Sequence, residues 1–115
     1  MDDIEVKKMH HRNAPETEVA AAVRIAPRVT GLRRKALRVL AESPEGETGE
    51  QVAEIMDEWL YSVKPRLTEL SQFGLIEDSG RRNINKRNRQ EIIWQITERG
   101  YMTLLYKIGG DLANG

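Results

Sequence analysis

The sequence predicts a mainly α domain with one small β-hairpin, arranged as a three-helix core, a wing and a C-terminal helix. Three observations predict it. Between residues 30 and 73, apolar residues recur at spacings of three and four in three successive stretches, the period of helices with one buried face. After Gly74 the pattern changes to the alternation of strands, and after Thr97 the helical spacing returns.

Length agrees with one domain. A chain of 115 residues divided in two would leave neither half a workable core. Hydrophobic residues make up 39% and charged residues 31%, the mixture of a folded domain with polar ends. Cysteine is absent, which excludes a disulfide framework, a thiolate metal site and a cysteine nucleophile and suits a reducing compartment. Met1-Asp2-Asp3-Ile4-Glu5 mixes charges where a signal peptide would be apolar, and no apolar run approaches the ~18 residues of a membrane span. The expectation is a cytoplasmic protein without a membrane partner.

Residues 1–14 show no period and are expected to form a flexible tail. Residues 15–29 read as a short helical extension in which Val19, Val23 and Ala26 share a face until Pro27 stops the helix. The main domain spans 30–108. Thr30 caps its first helix, whose stripe is Leu32, Ala36, Leu37 and Leu40, and Ser43-Pro44-Glu45-Gly46 breaks it. Thr48-Gly49-Glu50-Gln51 has the form of a capping box, so a second helix starts there, with Val52, Ile55, Met56 and Trp59 as its apolar face and Asp57-Glu58 at its end. The third helix turns Val63, Leu67 and Leu70 inward and stops at Gly74. Because proline fits the first turn of a helix, Pro65 places the start near Ser62, itself a candidate cap. Leu75-Ile76-Glu77-Asp78 and Glu91-Ile92-Ile93-Trp94-Gln95-Ile96 read as a hairpin with a long basic tip. Thr97 caps a last helix with Tyr101, Leu104, Leu105 and Ile108 as its stripe; Gly109-Gly110 ends it and leaves residues 109–115 as a tail.

The formal net charge is zero, 18 basic against 18 acidic residues, yet the charge is segregated. Residues 81–89, Arg-Arg-Asn-Ile-Asn-Lys-Arg-Asn-Arg, hold five cations and no acid. Such a strip repels itself, and a partner carrying phosphates would relieve the repulsion. The second and third helices, joined by a tight turn, form a helix-turn-helix whose later member projects its solvent face into a DNA major groove. With Val63, Leu67 and Leu70 inward, that face comprises Tyr61, Ser62, Lys64, Pro65, Thr68 and Gln72, with Arg66 and Ser71 on its flanks and Glu69 as an ill-suited acid on the outward side. Hydroxyl and amide groups meet base edges, and Lys64 and Arg66 reach phosphates or a guanine edge.

Four segments together resemble a known pattern: Thr48-Gly49-Glu50-Gln51-Val52-Ala53, Val63-Lys64-Pro65-Arg66-Leu67-Thr68-Glu69-Leu70, Phe73-Gly74-Leu75-Ile76 and Trp94-Gln95-Ile96-Thr97-Glu98-Arg99-Gly100. Over residues 30–107 the chain looks like the winged helix-turn-helix superfamily. Leu70 to Ile76 is similar to the leucine, three residues, glycine, leucine, isoleucine signature of repressors of the multiple-antibiotic-resistance (MarR) type. Pro65 to Leu70 looks closer to small winged-helix proteins of bacteriophages and prophages. The resemblance implies double-stranded DNA as partner, with the helix at 62–73 reading the major groove and the wing at 79–90 touching backbone or minor groove. The reader residues are then Tyr61, Ser62, Lys64, Arg66, Thr68 and Gln72, and the wing residues Arg81, Arg82, Asn83, Lys86, Arg87 and Arg89. It implies a transcriptional regulator or a phage or prophage accessory protein, in the cytoplasm of a bacterial cell or infected host, with homodimerisation open.

A second reading keeps the fold and changes the partner: a protein-docking module of a replication or transcription complex, using the N-terminal segment or the last helix, marked by an exposed apolar patch around Val19, Val23, Tyr101 or Tyr106. RNA binding fits less well, because residues 81–89 carry no aromatic stacking platform. No enzyme, cofactor or metal is implied. The two histidines, His10 and His11, are adjacent in the tail, without the spacing that puts metal ligands on one helix face, and no phosphate loop or nucleophile motif occurs. Trp59 and Trp94 are expected in the core.

Overall fold

The computed structural model describes residues 16–114, with side-chain detail for residues 16–106. The expected N-terminal tail and His10-His11 lie outside the described residues, as does the side chain of Ile108. Helix α1 (Glu16–Ile25) leads through a 3₁₀ turn (Ala26–Arg28) into α2 (Gly31–Ala41). Then come the short strand β1 (Glu47–Thr48), α3 (Gly49–Met56), α4 (Leu60–Gln72), β2 (Ile76–Ile84), β3 (Gln90–Ile96) and α5 (Glu98–Asn114). The mainly α class with one wing agrees with the periodicity. One element is additional: β1 pairs Glu47 with Trp94 and Thr48 with Ile93, so β3 lies in the middle of an antiparallel sheet ordered β1-β3-β2. Two residues are too few to leave a period in the sequence.

The core joins Leu37 and Leu40 of α2, Val52 and Ala53 of α3, Val63, Leu67 and Leu70 of α4, and Leu75 and Ile76 at the root of the wing, closed by Tyr101 and Leu104 of α5. Helix α3 opens with a complete capping box. The Gln51 amide donates to Thr48 Oγ1 at 3.2 Å, and the Thr48 amide donates to Gln51 Oε1 at 2.9 Å. It closes at Asp57, whose φ of 56° is left-handed, a conformation aspartate tolerates better than most residues. Only Asp57, Glu58 and Trp59 separate α3 from α4.

Helix α4 ends in a motif that also starts the wing. The Leu75 amide donates to the Leu70 carbonyl at 2.9 Å and the Gly74 amide to the Ser71 carbonyl at 2.9 Å, the Schellman pattern, with Gly74 at φ 77° supplying the left-handed residue. The Thr97 amide donates to the Leu75 carbonyl at 3.0 Å and Thr97 Oγ1 to the Gly74 carbonyl at 2.7 Å, so the chain leaving the wing is bonded to the chain entering it. Arg99 adds a hydrogen bond to the Phe73 carbonyl and a two-pronged ion pair to Glu18 of α1, both prongs at 3.1 Å. Gly100 is buried where a Cβ would lie 2.6 Å from Ile96 Cγ1 and against the Leu75 carbonyl.

Several expectations are corrected. In α1, packed along α5, the buried residues are Ala21 and Ala22, while Val23 is exposed. The face is chosen by close approach of two helices, which alanine permits, and not by side-chain size. Thr30 precedes α2 as expected but makes no capping hydrogen bond. Helix α4 begins at Leu60 and not near Ser62, with Pro65 inside it. The first turn closes on the Trp59 carbonyl, which accepts from the Ser62 and Val63 amides at 2.9 and 3.1 Å. Pro65 has no amide to donate to the Tyr61 carbonyl, on a side where both residues face solvent. Ile55 is 58% exposed on α3 itself, and Trp59 is 76% exposed because the left-handed Asp57 takes the chain off the helical register that would have carried it inward. Trp94 is partly buried against the core as expected. Helix α5 continues through Gly109-Gly110 to Asn114; glycine weakens a helix by about 1 kcal/mol relative to alanine but does not force a stop.

Two substitutions test this account. Gly100→Ala is expected to lower unfolding free energy by about 1–3 kcal/mol through overpacking. Thr48→Ala is expected to cost about 1 kcal/mol through the lost cap. Urea titrations with an unchanged slope and a lower midpoint would report both.

Candidate nucleic-acid interface

Full burial of Val63, Leu67 and Leu70 fixes which side of α4 looks outward. Tyr61, Ser62, Lys64, Pro65, Thr68 and Gln72 are all exposed there. Thr68 Oγ1 donates to the Lys64 carbonyl at 3.3 Å, leaving its lone pairs outward as acceptors. Between this face and the wing runs a groove of about 280 Å³, lined by Gly49, Lys64, Leu67 and Thr68 on one side and by Gln90, Glu91, Ile92 and Trp94 on the other. The capping box holds Gly49 against the same groove, where a larger residue would sit in ordinary contact with Leu67. Lys64 and Thr68 are thus beside β3, while Tyr61 and Gln72 lie outside the groove lining.

Arg66 is turned away from that face. Its Nη2 donates to Glu69 Oε2 at 3.0 Å, and Arg33 Nε of α2 donates to Glu69 Oε1 at 2.9 Å. Glu69, expected as an outward acid, is instead half-buried between two guanidinium groups and ties α4 to α2. The hydrogen bond from Arg33 holds its carboxyl below the ordinary glutamate value; partial burial opposes this, and the charges of Arg33 and Arg66 reinforce it. Arg28 and Arg33 also lie over the Phe73 ring, at 4.9 and 5.6 Å from its centre.

The expected long basic tip is mostly strand. β2 extends to Ile84 and β3 starts at Gln90, so Arg82 and Asn83 sit on the ladder, Arg81 lies in the strand just before it, and only residues 85–89 form the turn. An irregularity between Asp78 and Arg82, where four steps along β2 match two along β3, hid the alternation in the sequence. It is held by Asp78 Oδ1, which accepts from the Gly80 amide at 2.8 Å, and by Ser79 Oγ, which accepts from the Arg81 amide at 3.1 Å.

The wing cations differ in what holds them. Arg82 is paired with both carboxylate oxygens of Asp78 at 2.9 Å, which holds the aspartate below its ordinary value, with the Gly80 amide assisting. Arg81 donates to the Glu45 carbonyl. Lys86 Nζ stands 3.8 Å from Glu54 Oε2 of α3. Arg87 and Arg89 make no side-chain contact of this kind among the described residues and are exposed at the turn. Asn83 accepts from the Ile84 amide at 2.9 Å. Asn85, which shows in the sequence only as one polar residue among cations, builds the turn. Its Oδ1 accepts from the Arg87 and Arg89 amides at 2.9 and 3.0 Å, and its Nδ2 donates to Glu91 at 2.7 Å.

A helix-turn-helix followed by a hairpin that returns along its second helix is a winged helix. The fold is that of MarR-type regulators. The chain is similar to a crystal structure of a MarR family transcription regulator with a TM-score of 0.59 and 22% identity, over 96% of this chain and 69% of that one. No family model and no curated protein matches the chain. Among the described residues, no helix is long and apolar enough to cross a membrane and no three acid or histidine side chains are grouped to hold a metal.

The depressed Glu69 gives a pH test. A carboxyl whose folded value is lowered contributes stability that is present above its unfolded value and lost as pH falls through the folded one. The difference in midpoint temperature between the native chain and Glu69→Gln is therefore expected at pH 7 and should shrink towards zero in acid below the ordinary glutamate range. A difference that is constant with pH would contradict the ion-pair account.

Proposed function

We propose that this chain binds duplex DNA with sequence preference and acts, without catalysis, as a transcriptional regulator or accessory protein. The observation that supports this most is the groove in which Lys64 and Thr68 of α4 face the β3 side of the wing, because it brings a reading surface and a backbone-gripping surface to one side of the molecule. In this reading Tyr61, Ser62, Lys64, Thr68 and Gln72 meet base edges and phosphates, and Lys86, Arg87 and Arg89 grip the backbone. Arg66, Arg81, Arg82 and Asn83 serve the shape of reader and wing before they serve DNA, since each already has a partner within the chain. A phage or prophage setting, and the cytoplasm as location, rest on the resemblance carried by Pro65 to Leu70.

A second reading has partial support. Val23 and Tyr106 are exposed on α1 and α5, as a docking surface for a protein or a second copy would require, whereas Tyr101 is buried in the core.

Titration of duplexes selected from a random pool tests the DNA reading. Arg87→Ala and Arg89→Ala are expected to weaken all duplexes alike and each to reduce the log–log salt slope by about 0.9. Arg82→Ala should do less, because Asp78 already neutralises it. Lys64→Ala and Thr68→Ala should change the preference among sequences, by about 1–3 kcal/mol at the affected base pair. No retention of any duplex at low salt would refute the proposal.

A further inference from the structure

The two most exposed large apolar side chains among the described residues stand where the chain enters α4. Trp59, at the cap position, is 76% exposed, and Tyr61, in the first turn, is 81% exposed. Aromatic rings carry the largest gain from burial of any side chains, and both of these forgo it at one end of one helix. Trp59 also walls a groove of about 460 Å³, roomy enough for a planar ring, with Ala53, Asp57, Glu58 and Leu60.

The charge around these rings is divided. Lys86 meets Glu54 at 3.8 Å, which brings the wing turn beside the link from α3 to α4 and occupies that acid. Asp57 and Glu58, next to Trp59, have no ion-pair partner among the described residues. Lys64, one turn beyond Tyr61, is exposed, as are Arg87 and Arg89 on the wing turn. Carboxylates thus stand beside the indole, and cations stand to either side. A phosphate is repelled by the first and held by the second. A base with an exocyclic amino group fits the first, because its ring stacks on an aromatic face while its N–H groups donate to a carboxylate. Within a duplex the ring faces are covered by neighbouring base pairs. Such a surface suits unpaired bases.

We infer that Trp59 and Tyr61 form a stacking platform for a single polynucleotide strand. Its phosphates lie on Lys64, Arg87 and Arg89, and the amino groups of cytosine or adenine meet Asp57 and Glu58. The strand is a ligand additional to the duplex and draws on the same wing cations. It does not depend on any reading of base pairs.

Fluorescence anisotropy of labelled oligo(dC) and oligo(dT) of equal length, titrated with the full chain at about 0.05 M salt and slightly alkaline pH, tests this. Oligo(dC) is expected to bind, and to bind more tightly than oligo(dT), whose ring carries a carbonyl where cytosine carries the amino group. Binding should quench the emission of the exposed Trp59. Trp59→Ala should weaken oligo(dC) by about fivefold or more, the loss of one stacked base, whereas Trp59→Phe keeps a ring and most of the affinity. Arg87→Ala and Arg89→Ala should each lower the log–log salt slope by about 0.7. Urea midpoints equal to that of the native chain show that the variants are folded. Oligo(rC) in parallel identifies the strand as RNA or DNA by which is held more tightly. Absence of oligo(dC) and oligo(rC) binding overturns the inference. So does affinity that survives Trp59→Ala, or oligo(dT) bound as tightly as oligo(dC). Because these probes contain no base pairs, failure here leaves the duplex proposal standing, and failure to hold any duplex leaves this one standing.

Discussion

Everything in this fold hangs on the short bonded junction between residues 73–75 and 97–100. The helix end needs two donors for its last carbonyls, and Gly74 and Leu75 provide them. Those same residues then offer their own carbonyls to Thr97, which brings the far end of the wing back to its beginning. Arg99 carries the connection to α1 through Glu18, and the bare Cα of Gly100 lets α5 lie against the Leu75 carbonyl. Without this closure, a hairpin with few buried residues would have little to anchor it, since isolated two-stranded ribbons are marginal in water. The root of the wing is thereby tied to the end of α4, while the pairing of β1 with β3 and the packing of Trp94 and Ile96 against the core hold it further along.

Much of this was legible in the sequence where one residue has one dominant physical role. Thr48 and Gln51 announce a capping box and form it; Gly74 announces a left-handed stop and provides it; Val63, Leu67 and Leu70 are spaced as a buried stripe and are buried. The failures occur where two effects compete. Pro65 argues locally for a helix start, yet packing of the residues on either side of it outweighs the loss of one exposed hydrogen bond. Trp59 is spaced to continue an apolar face, yet a left-handed Asp57 two residues earlier ends the register on which the spacing depends. In α1 the alanines that are buried, Ala21 and Ala22, carry too little hydrophobicity to outweigh in the sequence the exposed Val23.

The candidate interface was less legible than the fold, because charge in a sequence does not say which neighbour will neutralise it. Five cations within nine residues look equivalent on paper. In three dimensions Arg82 is matched by Asp78 and Arg81 by a backbone carbonyl, and Arg66 and Arg33 share Glu69. The pairs with Asp78 and Glu69 are exposed or half-exposed and contribute little to stability individually. Their effect is geometric: they select which guanidinium groups stay with the protein and which point into solvent. Arg87 and Arg89 are exposed on the turn, where Asn85 engages Glu91, Lys86 faces Glu54, and no ion pair to either arginine occurs among the described residues.

That engagement by Asn85 has a thermodynamic consequence. One side chain accepts two amides and donates to a carboxylate, so the five-residue turn is tied down from within before anything approaches it. A mobile loop must surrender about 1–2 kcal/mol of backbone freedom per residue when a partner fixes it. Here that loss has been settled in folding, and a partner meeting the turn has only the rotamers of Arg87 and Arg89 left to freeze. The turn is therefore shaped in advance by a single asparagine, and the entropy left to lose in any contact belongs to the exposed side chains around it.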